Sequence, residues 1–256
     1  MQTTGNTILI TGGGSGIGRG LAEAFQKLGN TVIIAGRREG VLAGTAKAHP
    51  GMQYLTLDTG SVESIQAFTK ELTRRFPALN VVVHSAGIMK TENLREGDTA
   101  IAEETIDINL LGPIRLTAAL MPTLLKQPHA AILTVSSGLA FTPLSLNPTY
   151  CATKAAIHSY TQSLRYQLRD TAVRVIELVP PYVQTELTGE HQARDPMAMP
   201  LKDYLEETMR LLQESSDAHE ILVERVKPQR FAEARGEYDA FYTKFNDMLV
   251  KVRTSR

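Results

Sequence analysis

The chain has 256 residues, 43% of them hydrophobic and 21% charged, with 27 Lys and Arg set against 27 Asp and Glu. A formal charge of zero excludes attachment to nucleic acid or an anionic membrane through a broad basic field, and the apolar content excludes disorder along the whole chain. One cysteine, Cys151, forbids an internal disulfide, and there is neither a leader-like h-region nor a run of 18 apolar residues, so a cytoplasmic globular protein is expected.

In chain order, short β-branched runs alternate with longer amphipathic stretches. Thr7–Ile10, Thr31–Ile34, Tyr54–Leu57, Val81–Val83 and Ala131–Val135 read as buried strands, and a sixth, Val173–Val179, is stopped by Pro180-Pro181. Helical patterns lie between them near residues 16–28, 62–76, 101–126 and 150–170. Near-continuous apolar strands with crossover helices predict an α/β, doubly wound parallel sheet of six strands in a single domain. The last seventy residues form a helical extension in place of a recognisable seventh strand. Leu201, Leu205, Met209 and Leu212 share a helix face, and Asp217 with Glu220 resembles a capping pair opening another helix. Tyr238, Phe241, Tyr242, Phe245, Leu249 and Val252 follow as a stripe at helical spacing, which suits packing on the chain's own body or a subunit contact.

The first strand runs through Gly12-Gly13-Gly14-Ser15-Gly16-Ile17-Gly18 into a helical pattern. Glycines allow a tight turn and a close backbone approach, and a helix N-terminus offers free N–H groups and a positive dipole end to a pyrophosphate. A glycine-rich surface turn is the plain alternative. The second strand ends at Arg37-Arg38, where an acid would hold a ribose 2′-hydroxyl. Two arginines suit a 2′-phosphate, so NADP(H) is preferred to NAD(H), with an incidental basic turn as the alternative and Glu39 tempering the charge. Asp58, closing the third strand, can accept from an adenine amino group or simply cap the next helix.

Tyr150 and Lys154 stand one helical turn apart, so their side chains share a face. Ser137 closes a strand, and strand C-termini are where ligands sit in this architecture. The three make an acid–base device. A phenol with a pKa near ~10 is too weak an acid for proton exchange at neutral pH, and a cation about 4 Å away at an effective dielectric of about 20 contributes about 4 kcal/mol towards lowering it. Ser137 would orient the substrate oxygen. Upstream, Pro113 has no N–H, so the carbonyl of Asn109 loses its helical partner and is free to hold water, or the proline merely kinks the helix.

Taken together, Thr11-Gly12-x-x-x-Gly16-x-Gly18, Asp58, Ser85-Ala86-Gly87, Asn109, Ser137, Tyr150-x-x-x-Lys154 and Pro180 through Thr185 resemble the short-chain dehydrogenase/reductases, in the right order over residues 7 to about 187. The resemblance implies a Rossmann-type domain that moves hydride between a nicotinamide and an alcohol or carbonyl. Tyr150 would be the general acid/base, Ser137 would polarise the carbonyl, Lys154 would lower the tyrosine pKa and hold the ribose, and Asn109 would complete a proton relay. Gly12, Gly14, Ser15, Gly16, Ile17, Gly18, Ser85, Ala86 and Gly87 would line the cofactor, with Pro180, Val183 and Thr185 at the nicotinamide. It also implies a homodimer or tetramer built through the two long helices. Three departures stand out: Ser85 replaces the usual Asn, Pro181 replaces the usual Gly, and the terminal strand is not recognisable. The stretch Val135–Phe141 with Tyr150–Lys154 and the helical tail is most similar to a bacterial subgroup, the DltE-like oxidoreductases, whose label defines no substrate.

A carbonyl reductase and a non-catalytic NADP(H)-binding sensor on the same fold both fit the nucleotide end; the Ser137, Tyr150 and Lys154 set favours the enzyme. The six histidines show no ligand spacing, and no metal is expected. Cys151, about 100° round the helix from Tyr150, suits a buried small hydrophobe or a redox-sensitive thiol. Specificity is expected from Leu139–Asn147 and the segment 187–215 with Met197 and Met199, whose adaptable side chains suit a moderately hydrophobic carbonyl substrate.

Overall fold

Alternate residues of the first strand serve two different cores. In the computed structural model, which describes residues 1–215 and 217–254 and side chains as far as 249, Ile8 and Ile10 point to one face of the sheet and Leu9 to the other, all with no exposure. The strands are β1 (Thr7–Thr11), β2 (Thr31–Gly36), β3 (Gln53–Thr56), β4 (Val81–His84), β5 (Ala130–Val135), β6 (Val173–Val179) and β7 (Glu220–Leu222). They form one parallel sheet in the order β3-β2-β1-β4-β5-β6-β7. The order reverses between β1 and β4, and the crevice outside their C-terminal ends is where this architecture receives ligands.

The six predicted strands are present, and the prediction of no seventh is corrected by β7. Glu220 lies in that strand and does not open a helix, and Asp217 pairs instead with Arg174 at 2.7 Å. Register with β6 explains the difference: Glu177, Leu178 and Val179 pair with Glu220, Ile221 and Leu222, so a three-residue edge strand forms wherever its neighbour's free edge is offered.

The helices are α1 (Gly16–Lys27), α2 (Glu39–Ala48), α3 (Val62–Arg75), α4 (Ala100–Ile106), α5 (Gly112–Leu124), α6 (Pro148–Gln167), α7 (Glu190–Ala193), α8 (Leu201–Glu214), α9 (Lys227–Phe231) and α10 (Tyr238–Thr254). Leu21, Phe25, Met209 and Leu212 of α1 and α8 join one core, while Ile65, Phe68, Leu116, Leu120 and Leu164 of α3, α5 and α6 fill the other. The long pattern over 101–126 is α4 and α5 joined through a π-helical turn, Asp107–Leu111, where the Gly112 N–H reaches back five residues to the Asp107 carbonyl. Pro113, without an N–H to continue the α-helical ladder, accounts for that turn.

The C-terminal part of the stripe packs on the chain's own body. Phe245 and Leu249 of α10 lie against Leu144, Tyr150 and Cys151, and the Asn246 side chain accepts from Ser145 N–H at 2.7 Å and donates to the Pro143 carbonyl at 3.1 Å. Val252 lies outside the described side chains. No helix among the described residues is long and apolar enough to cross a membrane.

Candidate active site

The glycine loop between β1 and α1 is shaped by backbone contacts that leave no room for side chains. A Cβ on Gly12, where φ is +68°, would stand 2.9 Å from the backbone of Ala86, and one on Gly18 would stand 2.5 Å from the Gly12 carbonyl oxygen. Ser15 precedes α1 with no side-chain cap, so the first-turn N–H groups of the helix face the loop's open side. Thr11 ties the loop to β4: its hydroxyl accepts from the Ser85 and Ala86 N–H groups, both at 3.1 Å. Bracing of the β4 end is thus done by Thr11 from the neighbouring strand.

Gly12, Gly14, Ser15, Arg37, Arg38, Ala86 and Gly87 line one cavity of about 160 Å³ at the β1/β4 crevice. Both arginines are exposed, and Arg38 donates to the Ser15 hydroxyl at 3.3 Å, which links the basic turn to the N-terminal end of α1. Thr59 and Ile108 also line the cavity; nothing in their local sequence marks them. The Asp58 carboxylate accepts from Gly60 N–H at 3.0 Å, and Ser61 caps α3, so Asp58 is a turn-former and not the helix cap. Ser85 and Gly18 lie against each other beneath the loop, Thr185 approaches Gly16, and Ile17 packs into the cores on either side of it. Val183 is buried against Met199. Pro180 accepts from Gly138 N–H at 2.9 Å, which fastens the segment after β5 to the segment after β6 without any positive φ at Pro181.

Ser137, Tyr150 and Lys154 converge at the C-terminal end of β5, each under one-tenth exposed. The Ser137 hydroxyl faces Tyr150 and accepts from Leu139 N–H at 3.1 Å, and the Lys154 ammonium lies 5.5 Å from the centre of the tyrosine ring. Lys154 Nζ donates to the Val135 carbonyl at 2.8 Å. Gly87 joins this group to the glycine-lined cavity: a Cβ there would meet Asn109 Oδ1 at 3.2 Å and Lys154 Nζ at 4.0 Å. Asn109 clasps the same loop, accepting from Ile88 N–H at 2.9 Å and donating to the Ile88 carbonyl at 2.8 Å.

The electrostatics depart from expectation at one point. Burial raises the Tyr150 pKa, against the opposing influence of Ser137, while the Lys154 ammonium is held by the Val135 carbonyl at 2.8 Å and lies 5.5 Å from the ring centre. Burial also brings Lys154 down to about 8, opposed by Glu177. Since that folded value lies below the ordinary 10.5, the buried ammonium weakens the fold fully below pH 8, and the penalty fades as pH rises from about 8 to 10.5. Cys151 is buried, its thiol accepts from Leu144 N–H at 3.2 Å, and burial pushes its pKa up to about 11, which suits packing and not redox sensing.

The short chain dehydrogenase family profile matches residues 6–196. The chain belongs to the short-chain dehydrogenase/reductase family. It is an NAD(P)-dependent oxidoreductase of that family. It is 40% identical over 253 residues to the uncharacterized oxidoreductase DltE of Bacillus subtilis strain 168, covering 96% of this chain and 98% of that protein. Among solved structures it is similar to an alcohol dehydrogenase from Thermococcus sibiricus complexed with 5-hydroxy-NADP, at 26% identity and a TM-score of 0.78, over 86% of this chain and 97% of the other. A short-chain dehydrogenase/reductase from Burkholderia phymatum in complex with NAD shares the fold at a TM-score of 0.79 and 22% identity, over 92% and 93% of the two chains.

Proposed function

We propose that this short-chain dehydrogenase/reductase reduces a moderately hydrophobic carbonyl compound with NADPH, with Tyr150 as the proton donor. The observation that carries the reading is the buried convergence of Ser137, Tyr150 and Lys154, joined through Gly87 to the glycine-lined cavity. The cradle fits a dinucleotide, because the close approaches at Gly12 and Gly18 leave backbone where a pyrophosphate needs it, and the nicotinamide supplies the hydride when bound. Every other part falls to the chain's own groups. Ser137 O–H donates to the carbonyl oxygen and fixes it beside the phenol; Tyr150 O–H gives that oxygen its proton; Lys154 holds positive charge beside the phenolate left behind. Burial keeps the Tyr150 proton in place through the physiological range, which favours the reductive direction. Asn109 positions the Gly87–Ile88 backbone, and its helix carries the π-turn that Pro113 creates. Phe245 and Leu249, packed beside Tyr150, give the substrate side an apolar wall, in keeping with an apolar carbonyl compound. We also read α4, α5 and α6 as the pairing elements of a homodimer; Tyr166 on α6 is 69% exposed and would be covered there.

Arg37 is assigned to the 2′-phosphate. In Arg37→Asp the ratio of kcat/KM for NADPH over NADH falls at least about tenfold, some 1.4 kcal/mol, because a cation–phosphate contact becomes a repulsion. An unchanged ratio would remove the arginine from cofactor selection. The pH profile offers a second check. With Tyr150 protonated throughout, kcat/KM for ketone reduction is level below about pH 8 and falls above it as Lys154 loses its charge. A profile level to pH 10 would contradict the role given to that ammonium.

A further inference from the structure

Glu177 is a carboxylate without solvent exposure on β6, three residues before Pro180. It pairs in register with Thr134 of β5, so both side chains face α6, where Thr161 meets the Thr134 hydroxyl at 2.8 Å. His158, one turn beyond Lys154 on that helix, holds Glu177 Oε2 through Nδ1 at 2.7 Å, and its Nε2 lies 3.1 Å from the Gln162 amide. The second oxygen, Oε1, has no hydrogen-bond partner among the described residues. An ionised carboxylate withdrawn from water persists only where nearby cations repay its lost hydration.

The charged groups around it come from three elements. Lys154 and Arg165 lie on α6, Glu220 on β7 and Arg230 on α9. Arg230 is taken up by both Glu220 oxygens, at 2.7 and 3.0 Å, and Arg165 donates to the carbonyls of Val175 and His219, both at 2.9 Å. Lys154 is held by the neutral Val135 carbonyl, one residue along β5 from the position paired with Glu177, and has no carboxylate at salt-bridge distance among the described residues. His158, Glu177 and Glu220 bring ligand atoms within 4.8 Å of one another, but the Arg230 fork already holds Glu220, so the cluster serves charge balance better than a metal ion.

We propose that Glu177 is a positioning residue for the reductase reading given above: held by His158 behind the active site, its buried charge keeps Lys154 an ammonium seated on the Val135 carbonyl. The placement supports this: His158, one helical turn from Lys154, holds Glu177, and Val135, which holds Lys154, stands next to the residue paired with Glu177, in line with the upward pull that Glu177 exerts on the lowered Lys154 pKa. A sheet position facing α6 would otherwise be filled by an apolar residue, as Val175 is on the same strand.

The test reads the ammonium directly. The whole protein labelled with [ε-13C]lysine is titrated by NMR, with the Lys154 resonance assigned by its loss in Lys154→Met. The midpoint is expected near 8 in the parent. It falls by about one pH unit, a tenfold loss of proton affinity, in Glu177→Gln, and by a smaller amount in Glu177→Asp, which keeps the charge on a shorter arm. A midpoint that moves in neither variant overturns the proposal. Should the Gln variant fail to fold, the Asp variant decides alone. No turnover is needed: a midpoint that moves in a protein that reduces no ketone would leave the role of Glu177 standing and remove the reductase reading.

Discussion

Tyr150→Phe is expected to lower kcat/KM for NADPH-dependent ketone reduction by about 10³-fold while leaving the Kd for NADPH within about twofold. Loss of a positioned general acid costs about 10²–10⁴ in rate. The higher part of that range applies because no other acid among the described residues shares the position: Ser137 is an ordinary hydroxyl held by Leu139 N–H, Lys154 is committed to Val135, and the Cys151 thiol faces Leu144. The binding side is spared, since the cavity of Gly12, Arg37 and Gly87 does not include the tyrosine. Stopped-flow loss of NADPH absorbance over a ketone panel, with fluorescence titration of NADPH, measures both quantities. Turnover that survives in Tyr150→Phe would remove the tyrosine as proton donor. Binding with no turnover in either protein would restore the non-catalytic sensor as the better account.

Gly18→Ala is expected to cost both cofactor and fold. Its Cβ would meet the Gly12 carbonyl oxygen at 2.5 Å and carbon at 2.8 Å, and Ser85 Oγ at 3.2 Å, so backbone has to move in the loop that receives the pyrophosphate. Overpacking of this kind costs about 1–3 kcal/mol, and in a chain of this size each kcal/mol lowers Tm by roughly 2–4 °C. A fall in Tm of several degrees and at least about a tenfold rise in the Kd for NADPH are expected together. Gly44→Ala is the matched control. It lies inside α2, exposed, with nothing within 4 Å of its Cβ, and Ala in a helix interior is better than Gly by about 1 kcal/mol. Calorimetry of the two variants should show shifts of opposite sign, and a Gly18→Ala protein as stable as the parent would mean that the loop is not packed as described.

Where the chain could be read locally, the reading held. The predicted runs Thr7–Ile10, Thr31–Ile34 and Val81–Val83 are apolar at every buried position, and the 201–212 face turned inwards as its spacing required, with Leu212 1% exposed. Two elements escaped for the same reason. β7 has three residues, only Ile221 of them buried, and the acids around it imitate a helix cap. α2 buries only Leu42 and Thr45 and carries two glycines, so it has little apolar periodicity to show. Both exist because a neighbouring strand or loop offers a surface, which no local window contains.

The site divides along the same line. Tyr150 and Lys154 on one face of α6, a glycine turn between a strand and a helix, and a proline that breaks the helical run between α4 and α5 are consequences of covalent geometry and helical period, and the amino-acid order alone determined them. Whether Lys154 reaches the phenol or the Val135 carbonyl, whether Asp58 faces a ligand or Gly60, and which carboxylate lies buried beside His158 were decided only by tertiary structure. Those outcomes depend on the separation and desolvation of groups from different elements, on β5 against α6 or β6 against β7, and Coulomb energies in a dry interior change too steeply with such distances for local sequence to specify them.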